Sequence, residues 1–382
     1  MQSPTVQKKS LFSLQWQGLS KNDTTVLKAV SIFLIVLHNY FHSFPDWGIE
    51  NEFAFTARRF LFFKEHLSGN LYNNIGLLFA YFGHYGVQMF VFLSAYGLYR
   101  SYQNKPIIYW KFIRNRIWKL WPAFFLAVLF LITLTIITTR HLWQPDLYLG
   151  SLLRLSLLSN LVPGKSFDIV GPWWFYSMIV QFYFVFPLLR NVFNKYGILP
   201  LAILSIASWI LQLFFTSKLN ALGWTFNTLV IGHLPLFCLG LVLGKYRNLK
   251  MPWAVFAGAC LLFYLGNLSM AGWVLSQVSI TLIFLYLYRL LKKFVHPGNG
   301  AFRNVLFFVG NLSMYLFAVN GFLRHPFIQQ AEQHPSVGLK CAILLGFLAF
   351  VVLVALLLRF AENLFLKTFS KPHVQPAPVK AV

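Results

Sequence analysis

Two histidines lie inside the first long apolar run of the chain, which covers residues 26–44 and contains His38 and His42. They are four residues apart, so a helix would carry both on one face. Imidazole takes up and releases a proton near neutral pH, which suits general-base or nucleophilic chemistry. An ionisable side chain at membrane depth costs about 2.5–3.5 kcal/mol on insertion scales, so this run is the first place to look for a catalytic group.

A lysine, Lys28, stands ten residues before His38 in the same run. On a helix that rises about 1.5 Å per residue, the two would be about 15 Å apart along the axis. The simpler alternative makes His42 an interfacial residue and His38 a hydrogen-bonded packing residue. The run by itself does not decide between this alternative and a catalytic role.

A basic cluster follows in the segment YWKFIRNRIWKLWP, which contains Arg114, Arg116 and Lys119. Arg116 and Lys119 are three apart and would point the same way from a helix. Such a fork of cations can hold the phosphates of a nucleotide-like donor. In the alternative interpretation these charges serve only membrane topology and contacts with anionic headgroups.

The composition is that of a polytopic membrane protein, because 58% of the residues are hydrophobic and only 11% are charged, against about 25% charged in a soluble domain. The net charge of +23 would indicate nucleic acid in a soluble protein. Here the basic residues lie in short loops between apolar runs, so we expect no nucleic-acid partner. The three cysteines lie in apolar runs without a metal-binding or disulfide spacing, and no metal is expected.

Apolar runs of about 18 or more residues predict an all-α integral membrane protein with about ten transmembrane helices. A cytoplasmic segment over 1–25, one transmembrane domain over 26–366 and a disordered cytoplasmic tail over 367–382 are expected. The stretch 53–63 is too short to span and predicts an interfacial segment. The ten predicted spans are 26–44, 74–99, 118–139, 173–190, 197–216, 224–244, 252–269, 272–290, 305–323 and 338–366.

Charge sets the expected orientation of these spans. Most of the 32 Lys and Arg residues fall in loops on the side of the two termini, which the positive-inside rule assigns to the cytoplasm. Of the acidic residues, only Asp23 and Glu362 fall on that side. Lys28 is then expected at the cytoplasmic end of the first helix, with His38 and His42 in its outer half.

Four segments, in this order, resemble the membrane-bound acyltransferase 3 family, which acylates surface and secreted molecules, often sugars. They are LKAVSIFLIVLH, GVQMFVFLSAYGLY, FIRNRIWKLWP and WWFYSMIVQFYFVFPLL. The first resembles a basic residue followed by an apolar run that ends in histidine, and the third resembles the motif R-x-x-R/K-x-x-P. Two weaker matches, HLPLFCLGLVLG and GNLSMYLFAVNG, extend the resemblance over residues 25–325.

The resemblance implies ten core spans, a cytoplasmic acyl-coenzyme A donor and an acceptor that is usually on the outer face. It implies a catalytic role for the histidine of the first helix, which we assign to His38 with His42 as the second candidate. It also implies that Arg116 and Lys119 handle the donor. Arg114 and Lys28 are expected to help bind the coenzyme A phosphates.

The chain departs from the family pattern at several positions. Lys28 stands where the family usually has arginine, and the histidine follows it by ten residues rather than eleven, with Asn39 in the eleventh place. The glutamate often found before QFY is missing, and Asn320 replaces a late histidine. No carboxylate is therefore evident to orient the catalytic histidine, and Gln181 and Asn320 are considered for that role.

The sequence thus predicts an inner-membrane O-acyltransferase, by analogy an O-acetyltransferase. Acetyl-coenzyme A or another acyl-coenzyme A is the expected donor, and a surface polysaccharide or lipid-linked glycan is the expected acceptor. A glycan flippase or a glycan polymerase is the alternative, and a polymerase would use outer-loop arginines such as Arg58, Arg59 and Arg154. The sequence leaves open the acceptor, the acyl length, the oligomeric state, and whether the histidine is a general base or takes the acyl group itself.

Overall fold

The computed structural model describes residues 13–369 with the exception of 46, 48–49, 68 and 296–299. These residues form α-helices, a few short 3-10 turns and one two-stranded antiparallel sheet. The strands are β1 (Ser13–Trp16) and β2 (Leu249–Pro252). The helices are α1 (Lys21–Phe41), α2 (Ala57–His66), α3 (Leu71–Phe82), α4 (Gly86–Tyr102), α5 (Tyr109–Trp118), α6 (Trp121–Thr139), α7 (Pro145–Leu155), α8 (Trp174–Tyr196), α9 (Leu199–Ala221), α10 (Val230–Lys245), α11 (Trp253–Gly266), α12 (Met270–Val295), α13 (Ala301–Leu323), α14 (His325–Gln333) and α15 (Val337–Phe369).

Within the described residues, eight helical stretches are long and apolar enough to cross a membrane. A helix of about 20 residues covers the hydrocarbon core of a bilayer, about 30 Å thick. The chain is therefore a multi-pass helical membrane protein, as predicted. The eight stretches are Lys21–Phe41, Leu71–Tyr102, Tyr109–Thr139, Gly171–Tyr196, Leu199–Ala221, Met270–Lys292, Ala301–Leu323 and Val337–Thr368.

Two of the ten predicted spans, 224–244 and 252–269, contain shorter helices. α10 has 16 residues because Phe226–Thr228 forms a separate 3-10 turn before it, and α11 has 14 residues because β2 takes the chain up to its start. The predicted count of ten depends on these two helices and is not confirmed by helix length and composition. The side of the membrane that each terminus faces stays a prediction.

α1 begins at a capping box and earlier than the predicted residue 26. Ser20 Oγ accepts from the Asp23 backbone N–H at 3.2 Å, and Asp23 Oδ2 accepts from the Ser20 N–H at 2.8 Å. Asp23 also accepts a hydrogen bond from the Tyr288 hydroxyl at 2.6 Å and pairs with Lys292 at 2.8 Å. The first turn of α1 is therefore fixed to α12.

Two glycines bring the start of α4 against the middle of α1. A Cβ atom at Gly83 would lie 2.6 Å from His38 Cβ, and one at Gly86 would lie 2.5 Å from the Ser31 carbonyl oxygen. Small residues permit such close contact between helices. Gly97 does not share this role. A Cβ atom there would have no described atom within 4 Å apart from those of its own stretch of helix.

The two ends of the chain are only partly covered by the described residues. Residues 1–12 and 370–382, which include most of the predicted tail, lie outside the described residues, while 367–369 still belong to α15. The stretch before α1 pairs as β1 with β2, and Trp16 Nε1 donates to the Leu243 carbonyl of α10 at 3.2 Å. The predicted interfacial stretch 53–63 contains the start of α2.

Candidate active site

A cavity of about 210 Å³ lies beside the second half of α1, and we call it the histidine cavity. Polar side chains from four parts of the chain reach it: α1, the loop after α1, the 3-10 turn before α4, and the junction of α13 with α14. Its polar lining consists of His38, Asn39, His42, Glu50, Glu52, His84 and Arg324. Both candidate catalytic histidines therefore face one chamber.

His38 is held by its Nδ1 atom, which lies 3.2 Å from the carbonyl oxygen of Phe79. A carbonyl oxygen can only accept, so the hydrogen-bond network assigns the proton to Nδ1. The Nε2 atom of neutral His38 is then unprotonated, and it lies 3.7 Å from Glu52 Oε2. This is the form of imidazole that can accept a proton from a hydroxyl or attack an acyl carbon.

His42 lies one helical turn further on, and its ring stacks on that of His38 with the centroids 5.0 Å apart and the planes 23° apart. The four-residue spacing therefore places both rings on one face of α1, as predicted. His42 Nδ1 lies 2.7 Å from Glu50 Oε2. Each of the two histidines thus faces a glutamate of its own.

The two glutamates differ in their acidity. Burial raises the pKa of Glu52, and the Glu50 charge adds to this effect, while His38 opposes it. Burial also acts to raise the pKa of Glu50, but the hydrogen bond and charge of His42, together with the other histidines, hold that pKa below its usual value. Carboxyl groups whose pKa values move apart can take separate acid and base roles.

The loop that carries the glutamates is anchored inside the bundle. The Asn51 side chain donates to the Tyr81 hydroxyl of α3 at 3.1 Å, and the Asn51 carbonyl accepts from Trp273 Nε1 of α12 at 2.6 Å. The carbonyl of Glu52 accepts from the Asn227 side chain at 2.6 Å. Asn51 is thus fixed to two helices while its two neighbours reach the histidines.

Sequence reasoning missed both glutamates as partners of the histidines. It considered Gln181 and Asn320, but Gln181 Oε1 accepts from the Val230 N–H at 3.0 Å and Asn320 Oδ1 accepts from Asn39 Nδ2 at 2.7 Å. Among the described hydrogen bonds, none joins either amide to His38. The sequence signal for these partners was the pair of glutamates in the segment ENE, residues 50–52, in the loop that follows the first span.

A third histidine, His84, was not singled out in the sequence. It is buried, and its ring lies edge-on to that of His38 with the centroids 5.5 Å apart. With Glu52 and Gln88 it lines a small polar cavity of about 10 Å³, near the size that holds one water molecule. In the described part of the chain, no three His, Cys, Asp or Glu side chains are arranged to hold a metal ion.

A second cavity of about 220 Å³ follows the first half of α1, and we call it the lysine cavity. Lys28 lines it together with Tyr183 and a mainly apolar set of side chains from α4, α8 and α13. Ile35, Val87 and Phe317 line both cavities. The two chambers therefore lie end to end along α1, with these three side chains between them.

The basic cluster lies around α5, and its members differ in exposure. None of the three cations lines either cavity; Arg114 and Lys119 are exposed, whereas Arg116 is half-buried. The guanidinium carbon of Arg116 lies 5.2 Å from the ring centroid of Tyr102, within cation–π range. Of the three cations, Arg116 is the one packed against an aromatic ring of α4.

Two of the three outer-loop arginines considered for a polymerase bind backbone carbonyls, while the third, Arg58, is exposed. Buried Arg154 donates to the carbonyls of Ser166 and Asp168 at 2.9 and 2.6 Å, and Arg59 donates to the carbonyl of Glu50 at 2.6 Å. Both side chains therefore hold loops in place. This occupation weakens the polymerase alternative.

The fold and the histidine cavity define a multi-pass membrane protein with a buried histidine–glutamate centre suited to acid–base chemistry. A family model described as an acyltransferase domain, that of the acyltransferase 3 family, matches residues 23–360, and the chain belongs to this family. The match confirms the resemblance seen in the motifs and indicates a membrane acyltransferase. None of the curated proteins and none of the solved structures compared with the chain matches it.

Proposed function

We propose that this protein is an inner-membrane O-acyltransferase that moves an acyl group, most simply acetyl, from cytoplasmic acyl-coenzyme A to a hydroxyl of a surface polysaccharide or lipid-linked glycan. The observation that supports this most is the pair of cavities along α1, one with Lys28 in its wall and the other with His38. Membership of the family supplies the class of reaction. Two cavities along one helix support a reaction between two substrates.

On the donor side, Arg116 and Lys28 are the proposed ligands of the coenzyme A phosphates, with exposed Arg114 and Lys119 flanking the entrance. Guanidinium and ammonium groups are the usual partners of phosphate in proteins. The mainly apolar lysine cavity suits the narrow pantetheine arm and a short acyl chain. The thioester would reach the histidine cavity past the three side chains that divide the chambers.

In the transfer step, the acceptor hydroxyl oxygen attacks the thioester carbonyl, and its proton passes to His38 Nε2. The new C–O bond forms, the C–S bond breaks, and the leaving thiolate takes the proton back from His38. Glu50 is held in its charged form, so its carboxylate stabilises the transient imidazolium, and Glu52 lies 3.7 Å from the reacting nitrogen. The route in which His38 takes the acyl group first uses the same Nε2 atom.

The proposal is tested in the organism that carries the gene. Deletion of the gene is expected to remove esters from the surface polysaccharide, wild-type protein to restore them, and His38→Ala to leave them absent at equal protein level in the membrane. His141→Ala, an exposed residue between α6 and α7, is the matched control and should restore them fully. A deletion strain that keeps all its esters would rule out glycan acylation.

A further inference from the structure

In the wall of the histidine cavity, Arg324 is a charged side chain for which the described residues offer no hydrogen-bond partner. It lies between α13 and α14, and its Nε and Nη1 atoms are buried with no hydrogen-bond acceptor among the described residues. Burial lowers its pKa to about 10, so it is still charged at neutral pH. Buried donors of this kind are normally paired, because an unmet hydrogen bond to a charged group is costly.

A second buried arginine shows how this chain completes such a group when the role is structural. Arg154 donates from Nε and Nη2 to the Asp168 carbonyl, from Nη2 to the Ser166 carbonyl and from Nη1 to Ser159 Oγ. Burial lowers its pKa to about 10 as well. Burial acts on Arg324 in the same direction, but no described residue accepts a hydrogen bond from its Nε or Nη1 atom. The difference indicates that the partner of Arg324 comes from outside the described residues.

The carboxylates of the same cavity do not fill this role. Glu50 faces His42 at 2.7 Å and Glu52 faces His38 at 3.7 Å. Among the described residues, the ion pairs closer than 4 Å do not include Arg324. The positive charge is therefore left for a ligand that enters the cavity.

We propose that Arg324 binds a carboxylate or phosphate group of the acceptor, so that the protein acylates an anionic glycan. A guanidinium presents its N–H groups as a planar fork that matches either anion with two parallel hydrogen bonds. Binding at this point holds the sugar in the cavity that contains His38, so a neighbouring hydroxyl can meet Nε2. The consequence for catalysis rests on the proposed acyl transfer, whereas the binding of the anion does not.

Binding of three sugars to the purified full-length protein tests this assignment without any acyl donor. The probes are methyl glucuronide, glucose 6-phosphate and methyl glucoside, which carry a carboxylate, a phosphate and no charge. We expect at least one anionic sugar to bind roughly tenfold more tightly than methyl glucoside, since hydrogen bonds to charged groups are worth more than neutral ones. Whichever of the two anionic sugars binds more tightly identifies the anionic group, carboxylate or phosphate, of the natural acceptor.

Arg324→Gln should reduce that preference to the level of the neutral sugar, and Arg324→Lys should keep part of it. Arg58→Gln, an exposed arginine on α2, is the control and should change nothing. The proposal is overturned if neither anionic sugar binds more tightly than methyl glucoside, or if Arg324→Gln keeps the preference. It is also overturned if Arg324→Gln leaves binding unchanged and slows acyl transfer equally for charged and neutral acceptors, which would assign Arg324 to the reaction's oxyanion. Absence of acyl transfer by the wild-type protein, with the preference for an anionic sugar intact, would instead count against the proposed function.

Discussion

The two cavities along α1 are built in different ways. The histidine cavity draws ionisable groups from loops, a 3-10 turn and a helix junction, and its histidines and glutamates face each other in pairs. The lysine cavity is formed by helix faces, and Lys28 is the one charged side chain among its described lining residues. The same helix thus passes from an apolar chamber with one cation to a polar chamber with paired charges.

This contrast suggests that the two cavities have different roles in the reaction. Paired acids and bases in a buried chamber can move protons, because each group sets the protonation of its neighbour. An apolar chamber with a cation near its entrance can hold a chain that ends in phosphate, but it offers few groups for chemistry. Variants that act on one cavity should therefore differ in kind from variants that act on the other.

The largest effect is expected at His38. His38→Ala should lower the rate of acyl transfer by about 10²–10⁴-fold, since that is the usual contribution of a general acid–base group. His42→Ala should lower it less, because His42 Nδ1 is engaged with Glu50. The measurement is release of free coenzyme A thiol by purified protein with de-esterified polysaccharide. A greater loss for His42→Ala would move the catalytic role to that residue.

The next effect concerns the boundary between the cavities. Val87→Phe adds bulk to a side chain that lines both chambers, so it should lower acyl transfer by about 10²-fold through misplacement of the thioester, while coenzyme A binds as before. Titration calorimetry with coenzyme A and the thiol assay measure the two quantities. Val30→Phe, on an exposed position of α1, is the matched control. Equal rates for Val87→Phe and wild type would show that the thioester does not pass this point.

A smaller effect is expected at the basic cluster. Arg116→Ala should weaken coenzyme A binding by about tenfold through loss of one charge-assisted contact, without changing the pH dependence of the transfer step. Arg114→Ala should weaken binding less, because Arg114 is exposed, whereas Arg116 is half-buried and held over the Tyr102 ring. Unchanged affinity in Arg116→Ala would remove this residue from the donor site.

The smallest effect separates the two glutamates by stability. Glu50→Gln should lower the melting temperature at pH 7 by about 1–3 °C, since a carboxyl with a depressed pKa stabilises the fold when it is charged. That contribution is present above the usual carboxyl pKa near 4.3 and is lost as the pH falls below it. Glu52→Gln should not lower the melting temperature, because its raised pKa means that the fold disfavours its charge. Equal destabilisation by both variants at pH 7 would contradict the assigned pKa directions.

The sequence predicted the helical part of this arrangement well. Apolar runs and the four-residue spacing of His38 and His42 depend on local helix geometry, which sequence carries directly. Glu50 and Glu52 could not be paired with the histidines, because their position depends on contacts of Asn51 with α3 and α12, far along the chain. Such long-range contacts leave no periodic signal.

The same limit applies to other parts of the chain. The role of Arg324 could not be predicted, since sequence does not show which arginines have buried donors without acceptors. The ten-span count stays unconfirmed at α10 and α11, because a 3-10 turn and strand β2 shorten the helices in these two mainly apolar runs. Composition gives the presence of an apolar run but not the point at which a helix begins within it.

The central claim is that an acyl group enters from the lysine cavity and leaves on a hydroxyl activated by His38 in the histidine cavity. Its most direct test is transfer in proteoliposomes of known orientation, with radiolabelled acetyl-coenzyme A on the cytoplasmic face and polysaccharide from the deletion strain on the other. We predict labelled ester on the polysaccharide with wild-type protein and none with His38→Ala. Transfer at the wild-type rate by His38→Ala, or transfer only when donor and acceptor share one side, would contradict the account.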